Sequence, residues 1–306
     1  MKRAVSNRPV LPVNTVHPFL AKELQVAWKA FLRRWRKCRT KPSESAVHAL
    51  RVEARRLLAE LELLSGLGLD AEAGPLGQPI KKLLSALSKL RDVQVQRELL
   101  KAWKPEFADR SWLERELRRL ARRQRRRVED KLEDFPARRL AGDVRALAKA
   151  VRARGKTPIK RAQDAKLLIL IVNRSFARVC ALQRRVRVSE PATVHAVRVA
   201  FKAFRYQVEF LAPQLGLTEA TYLERLRKFQ SHLGNFNDAD VWLARLDELL
   251  AEHPKRAGLV PLRRAVVAQA GRLLKRSVAE LAKVATYWPP STATGTSDAV
   301  VPPKPV

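Results

Sequence analysis

Apolar residues recur at three- and four-residue spacing along most of this chain, in long stretches rich in Leu, Ala, Arg, Glu and Lys. That period places them on one side of an α-helix, whereas a half-buried strand would alternate every second residue. No convincing period-two stretch is present. Pro and Gly punctuate the pattern near Pro42, across "GLGLDAEAGPLGQP" (66–79), at Pro105, around Pro136, at "RGKTP" (154–158), at Pro191, from Pro213 to Gly216 and at Pro254. The breaks predict about eight helices. The longest uninterrupted apolar run, "LLILIV" at 167–172, is far too short to span a bilayer. Residues 289–306 are rich in Pro, Ser and Thr, and are expected to be a disordered tail. Residues 1–18, interrupted by Pro9, Pro12 and Pro18, are expected to be a flexible segment, with no unbroken apolar run for an export signal.

The pattern occurs twice. "VHALRVEARRLLAELELL" (47–64) and "VHAVRVAFKAFRYQVEFL" (194–211) align at an offset of 147, and "LSKLRDVQV" (87–95) aligns with "LGNFNDADV" (233–241) at 146. Two blocks sharing nearly one spacing argue for duplication. The expected organisation is two homologous halves of about four helices each, 19–153 and 154–288.

Within the first repeated block, Leu50, Ala54, Leu57, Leu61 and Leu64 form one helical stripe, matched by Val197, Phe201, Phe204, Val208 and Leu211. These are core positions. On another side, His48, Arg51 and Arg55 fall within an arc of about 60°, and His195, Arg198, Lys202 and Arg205 within about 80°. A row of like charges at this spacing is mildly destabilising unless something negative lies across it. A lone basic residue on a helix is usually a solvated one. Here, however, both copies keep histidine, arginine and a third base while neighbours change, as in Glu53 against Ala200.

Charge sharpens the picture. Lys and Arg number 62 against 30 Asp and Glu, a net +32, which favours a polyanion or dense counterions nearby. "RELRRLARRQRRR" (115–127) has eight arginines in thirteen residues, of which Arg115, Arg119, Arg122 and Arg126 can form a second row. Lys82, Lys89 and Arg91, with Lys228 from the second half, are further candidates, and Lys81 lies beside them. Packed as bundles, such rows would line a basic groove. Arginine forks and mobile lysines together suit a flexible chain of phosphates. A histidine in such a row should be pushed towards neutrality by its neighbours, so that polyanion binding takes up protons near neutral pH. Asp92 and Asp238, the repeated acids, are expected to hold His or Arg side chains by hydrogen bonds rather than to bind metal. His17, His232 and His253 look incidental. Cys38 and Cys180 show no metal-like or disulfide spacing, which fits a reducing cytoplasm. No metal or cofactor is expected.

The "VHxLRVxxRR" and "VHxxRVxxKxxRY" stretches, each followed by its "LRDVQV" or "LGNFNDADV" block, resemble the CHAD family, the conserved histidine α-helical domain. The resemblance extends from about residue 19 to 288. It implies an all-α fold of two four-helix bundles related by a pseudo-twofold repeat around a basic central groove or pore, and binding of inorganic polyphosphate. The histidine-and-base motif falls on His48, Arg51, Arg55 and Arg56, and on His195, Arg198, Lys202 and Arg205. The first copy departs with Leu58 opposite Arg205, the second with Ala203 opposite Arg56 and Asn237 opposite Arg91.

The resulting expectation is a non-catalytic polyphosphate-binding protein, cytoplasmic and associated with polyphosphate granules. Weak nucleic-acid binding is the second reading, since phosphate backbones attract the same cations, although aromatic content is only 6% and no RNP-like or zinc-finger pattern occurs. A metal-dependent polyphosphate or triphosphate hydrolase ranks third, because acids are scattered and no ExExK strand signature occurs. No membrane role is expected, and oligomeric state stays open.

Overall fold

The computed structural model describes residues 9–217 and 220–289. They are helical almost throughout and contain no β-strand, only an isolated bridge between Arg187 and Glu190. In chain order the helices are α1 (Val16–Thr40), α2 (Glu44–Gly66), α3 (Asp70–Ala102), α4 (Arg110–Glu133), α5 (Ala137–Arg154), α6 (Pro158–Gln183), α7 (Pro191–Leu211), α8 (Ala220–Glu252) and α9 (Val260–Leu281). The breaks around Pro136 and at 154–158 do bound a helix of their own, and the expected count of about eight becomes nine among the described residues. The repeated pairs are α2 with α7 and α3 with α8, and α5 has no counterpart after α9, where Val284–Tyr287 is a single 3-10 turn. α1 begins inside the segment expected to be flexible, and Leu11, Val16 and His17 are buried. Residues 1–8 and most of the expected tail, 290–306, lie outside the described residues.

Local chemistry accounts for the boundaries. The Ser43 hydroxyl accepts from the Ala46 amide at the start of α2, and Thr157 does the same for Lys160 at α6. Pro158, Pro191 and Pro261 occupy the first helical positions, where the missing N–H has no intrahelical partner to lose. Both copies of the first block are followed by "LGL", at 67–69 and 215–217. Gly68 (φ 80°) and Gly216 (φ 66°) take the left-handed conformation there. Leu69 and Leu217 then donate back to the Leu64 and Ala212 carbonyls, closing α2 and α7 in the same way.

The expected break across 66–79 is confined to 67–69, and α3 runs through Pro75 and Pro79. Two interior prolines cost about 6 kcal/mol together. Burial of Leu76, Ile80, Leu83 and Leu87 on the same helix contributes about 6–12 kcal/mol, enough to carry the helix past them.

α1 packs on α2 and α5, α3 on α2 and α4, α6 on α7, and α8 on α7 and α9. The halves meet where α2 touches α7 and α6, where α3 touches α8, and where α1 touches α6. One large apolar core runs through both halves, from Leu11 to Trp288. A second joins Leu100, Leu113 and Leu117 to Trp242, Leu246, Leu249 and Leu262 at the far ends of α3, α4, α8 and α9.

Polar contacts reinforce this joint. Asp164 of α6, itself buried, accepts from both the Nε (2.7 Å) and Nη2 (3.0 Å) of Arg154 and lies 3.0 Å from Nε2 of buried His17. His17, expected to be incidental, is therefore a structural link. Gly155 packs so closely against it that a Cβ would lie 2.5 Å from the ring. At the other end Arg256 donates to Asp109 at 3.1 Å and covers the Trp112 ring, which also meets His253 edge-on.

Candidate functional site: cations at the α2–α7 contact

The apolar stripes of α2 and α7 are buried as their period requires: Leu50, Ala54, Leu57, Leu61 and Leu64 on one helix, Val197, Phe201, Phe204, Val208 and Leu211 on the other. Their burial fixes the rotation of each helix about its axis, and hence where the rows of bases fall. The two rows sense each other across the contact. Lys202 of α7 feels Arg55 and Arg51 of α2, and Arg198 of α7 feels Arg55. From α3 and α8, Asp92 and Asp238 act on both Arg51 and Arg198.

The cations are uncomfortable there. Burial is the largest cause, and Arg55, Arg198, Arg51 and Arg205 add to it, driving the Lys202 ammonium down to about 6. Burial also lowers Arg51 to about 10, with Arg55 adding and Asp92 opposing. Arg198 is lowered by burial, which Asp238 partly offsets. His48 is pushed down by burial and then by Arg91, Arg51 and Arg55. Asp92 is raised by burial, with Arg51 pulling the other way and Asp238 adding to the rise. Among the described residues neither acid hydrogen-bonds to the row's histidines or arginines, so the expected direct tether gives way to charge acting at longer range. The Nε atoms of Arg51 and Arg198, equivalent in the repeat, are buried and unpartnered among the described residues.

The two copies differ where the sequence differs. Arg91 acts on His48 while its fork is held by Glu98 at 3.0 and 3.2 Å. In the second copy, Asn237 takes the place of Arg91 and its Oδ1 meets His195 Nδ1 at 2.7 Å.

Other candidates fall elsewhere. Arg205 is only 6% exposed and fully engaged: it donates to Gln230 (2.7 Å) and Glu209 (2.6 Å) and stacks on Tyr206. It is a strut rather than a free member of the row. Arg56 lies beside the row and pairs with Glu53. Lys82 turns away to a hollow with Lys131, Asp134, Phe135 and Arg139, between α3 and the α4–α5 turn. Lys89, seven residues on, shares its line along α3. Lys228, the repeat equivalent of Lys82, is exposed on α8. Arg115, Arg119, Arg122 and Arg126 do align on α4, all exposed, but on the side opposite Leu113, Leu117, Leu120, Gln124 and Val128 by which that helix packs. That row faces outward, and Arg119 is partly answered by Glu116 at 3.0 Å.

Lys81 does join the cluster. With Arg55, Lys202, Glu62, Leu58, Val199 and Tyr206 it lines a cavity of 480 Å³ between α2, α3 and α7. Lys81 lies eleven residues before Asp92, almost three full turns, and this spacing puts the two on one line of α3. Among the described residues no three His, Cys, Asp or Glu side chains group as a metal site would need, and no helix is long and apolar enough to cross a membrane.

The CHAD domain pattern matches residues 22–247 of this chain. Among solved structures, the CHAD domain from the plant Ricinus communis is similar with a TM-score of 0.64 at 21% identity, over 92% of this chain and 95% of that one. PptA from Streptomyces chartreusis is similar with a TM-score of 0.55 at 18% identity, over 89% of this chain and 97% of that one. At such identities these likenesses bear on the fold alone. No curated protein matches the sequence significantly.

Proposed function

The chain belongs to the CHAD domain family, and we propose that it binds inorganic polyphosphate without catalysis, through the cations gathered where α2 meets α7. The observation that carries this reading is the excess of positive charge at that contact. Arg51, Arg55, Arg198 and Lys202 converge from both halves with only Asp92 and Asp238 acting against them, and three of the four are depressed by burial and mutual repulsion. The struts Arg205 and Arg154 are each given an acid, Glu209 and Asp164. An anionic chain laid along the contact would relieve the repulsion and occupy the orphan Nε donors.

The finer architecture belongs to the same proposal: two bundles related by a pseudo-twofold axis, with the basic groove on that axis. Under such symmetry a residue meets its own repeat equivalent only near the axis. His17 with Asp164 and Asp109 with Arg256 are such pairs, each 147 residues apart, and Asp92 senses Asp238 at 146. All three support an axis running past α2 and α7. Attachment of the protein to polyphosphate granules in the cytoplasm would follow from binding many phosphates in series.

The outward arginine row of α4 favours a second reading, a sequence-independent nucleic-acid surface, because exposed arginines bind any phosphate backbone. Competition separates the two. Labelled long-chain polyphosphate bound at about 0.15 M salt should be displaced by DNA or RNA only at large excess of phosphate. Replacing Arg51 and Arg198 together by Gln should weaken polyphosphate binding at least about tenfold, the loss expected from one charge-assisted hydrogen bond of about 1.5 kcal/mol. Replacing exposed Arg174 and Arg178 of α6 should have little effect. Even competition by nucleic acid, or equal losses from both double variants, would make this a diffuse anion surface.

A further inference from the structure

Lys202 stands out within the proposed site because it lines a cavity rather than a flat face. The space of 480 Å³ is walled by Leu58, Val199 and Tyr206 and bordered by Arg55, Lys81 and Glu62. The charged groups acting on its amine are Arg51 and Arg55 from α2 and Arg198 and Arg205 from α7. No carboxylate lies within ion-pairing distance of it among the described residues. Glu62, across the cavity, is the acid that shares the space. The cavity therefore offers an amine beside the Arg55 guanidinium and the Lys81 ammonium, next to an apolar wall, with room for a small molecule.

Building on the anion-site reading above, we propose that Lys202 is an acceptor for small acyl phosphates, which acylate its side-chain nitrogen. Arg55 and Lys81 hold the phosphate end and the apolar wall receives the acyl end. The Nζ lone pair attacks the carbonyl carbon, a C–N bond forms, and the bond from that carbon to the phosphate oxygen breaks. The phosphate departs with the bonding electrons and takes up the proton lost from nitrogen, leaving an amide and inorganic hydrogen phosphate. No other reactant is needed.

The chemistry favours this lysine over the other lysines of the chain. A lysine beside other cations in a desolvated site keeps its lone pair free, and Lys202 is held down to about 6. An ordinary lysine, titrating near 10.4, has only about one amine in a thousand free at pH 7.5. An acyl phosphate brings two negative charges at most, fewer than Arg51, Arg55 and Arg198, the arginines acting on Lys202 that no acid among the described residues pairs with at close range, so the amine stays free enough to react. A long polyphosphate chain, by contrast, neutralises them all and covers the cavity. Acylation removes a base that polyphosphate would otherwise recharge, so it would tune polyphosphate binding according to the supply of acyl phosphate.

The test treats the full-length protein with acetyl phosphate at pH 7.5 and follows acetylation of each lysine by peptide mass spectrometry. Lys202 should react at least about tenfold faster than exposed Lys82 and Lys228. Its rate should rise through about pH 6 and then level off, and long-chain polyphosphate should suppress it. Reaction no faster than at Lys82 and Lys228, while polyphosphate still binds, overturns the acylation proposal and leaves the anion site intact. A neutral reagent, p-nitrophenyl acetate, supplies the remaining control. If Lys202 is selected by that reagent but not by acetyl phosphate, and polyphosphate neither binds nor protects, the anion-site reading fails and the proposal fails with it.

Discussion

Lys202 makes the proposed function a matter of proton balance at a single residue. In the unfolded chain it titrates near 10.5, in the folded protein near 6. Between those values the unfolded state binds more protons, so this residue's contribution to stability increases as pH rises across that window, and at pH 7 it opposes folding. Lys202→Met should therefore raise the melting temperature at pH 7 by about 2 °C or more, flatten the rise of stability with pH, and weaken polyphosphate binding. An unchanged melting temperature would mean that the amine is better solvated than its surroundings suggest. Polyphosphate should draw the amine back towards its ordinary range, so binding at pH 7.5 takes up protons, measurable by calorimetry in buffers of different ionisation enthalpy. The sequence pattern anticipates this uptake but assigns it to histidine. His48 is indeed pushed down, yet the larger reservoir is the lysine one row across, because the pattern specifies which bases share a face and not how deeply the opposing helix buries them.

At the scale of elements, punctuation in the sequence locates most helix ends, since Pro at the first turn and Gly in the left-handed conformation act through local geometry alone. It misplaces the start of α3, where burial on one side overrides two prolines, and it passes over His17, whose partner Asp164 is distant in sequence but adjacent in space. Gly142 lies inside α5, with only the Arg145 side chain near its missing Cβ. The joint between α5 and α6 is at Gly155, inside the "RGKTP" break, where a Cβ would strike the His17 ring and displace it from Asp164. Gly155→Ala should cost about 1–3 kcal/mol from overpacking alone and lower the melting temperature by at least about 2 °C. Gly142→Ala, in an open helical position, should be neutral or raise it through improved helix propensity. Thermal unfolding of the two variants side by side is the check. If both shift alike, the close approach at Gly155 does not constrain the joint.

For the whole molecule, the net charge of +32 and the repeated rows are plain in the sequence, whereas the separation of bases into a cluster at the α2–α7 contact and an outward α4 row emerges only once helices are packed. Eight arginines in thirteen residues look like one feature. In the fold, Arg115, Arg119, Arg122 and Arg126 point away from the packed side of α4, while Arg51, Arg55, Arg198 and Lys202 converge. Self-repulsion on this scale makes salt act in opposite directions depending on the ligand. Without a polyanion, salt screens like charges from each other, so the melting temperature should rise as NaCl is added from low concentration to about 0.3 M. With polyphosphate at a hundred times its dissociation constant, binding adds about 2.7 kcal/mol, or roughly 5 °C or more, and the same salt now screens the attraction between protein and ligand. The bound protein's melting temperature should then fall along the salt series in which the free protein's rises. Two curves that rise together would mean that polyphosphate is held by few charges, and that the excess at the α2–α7 contact is not what binds it.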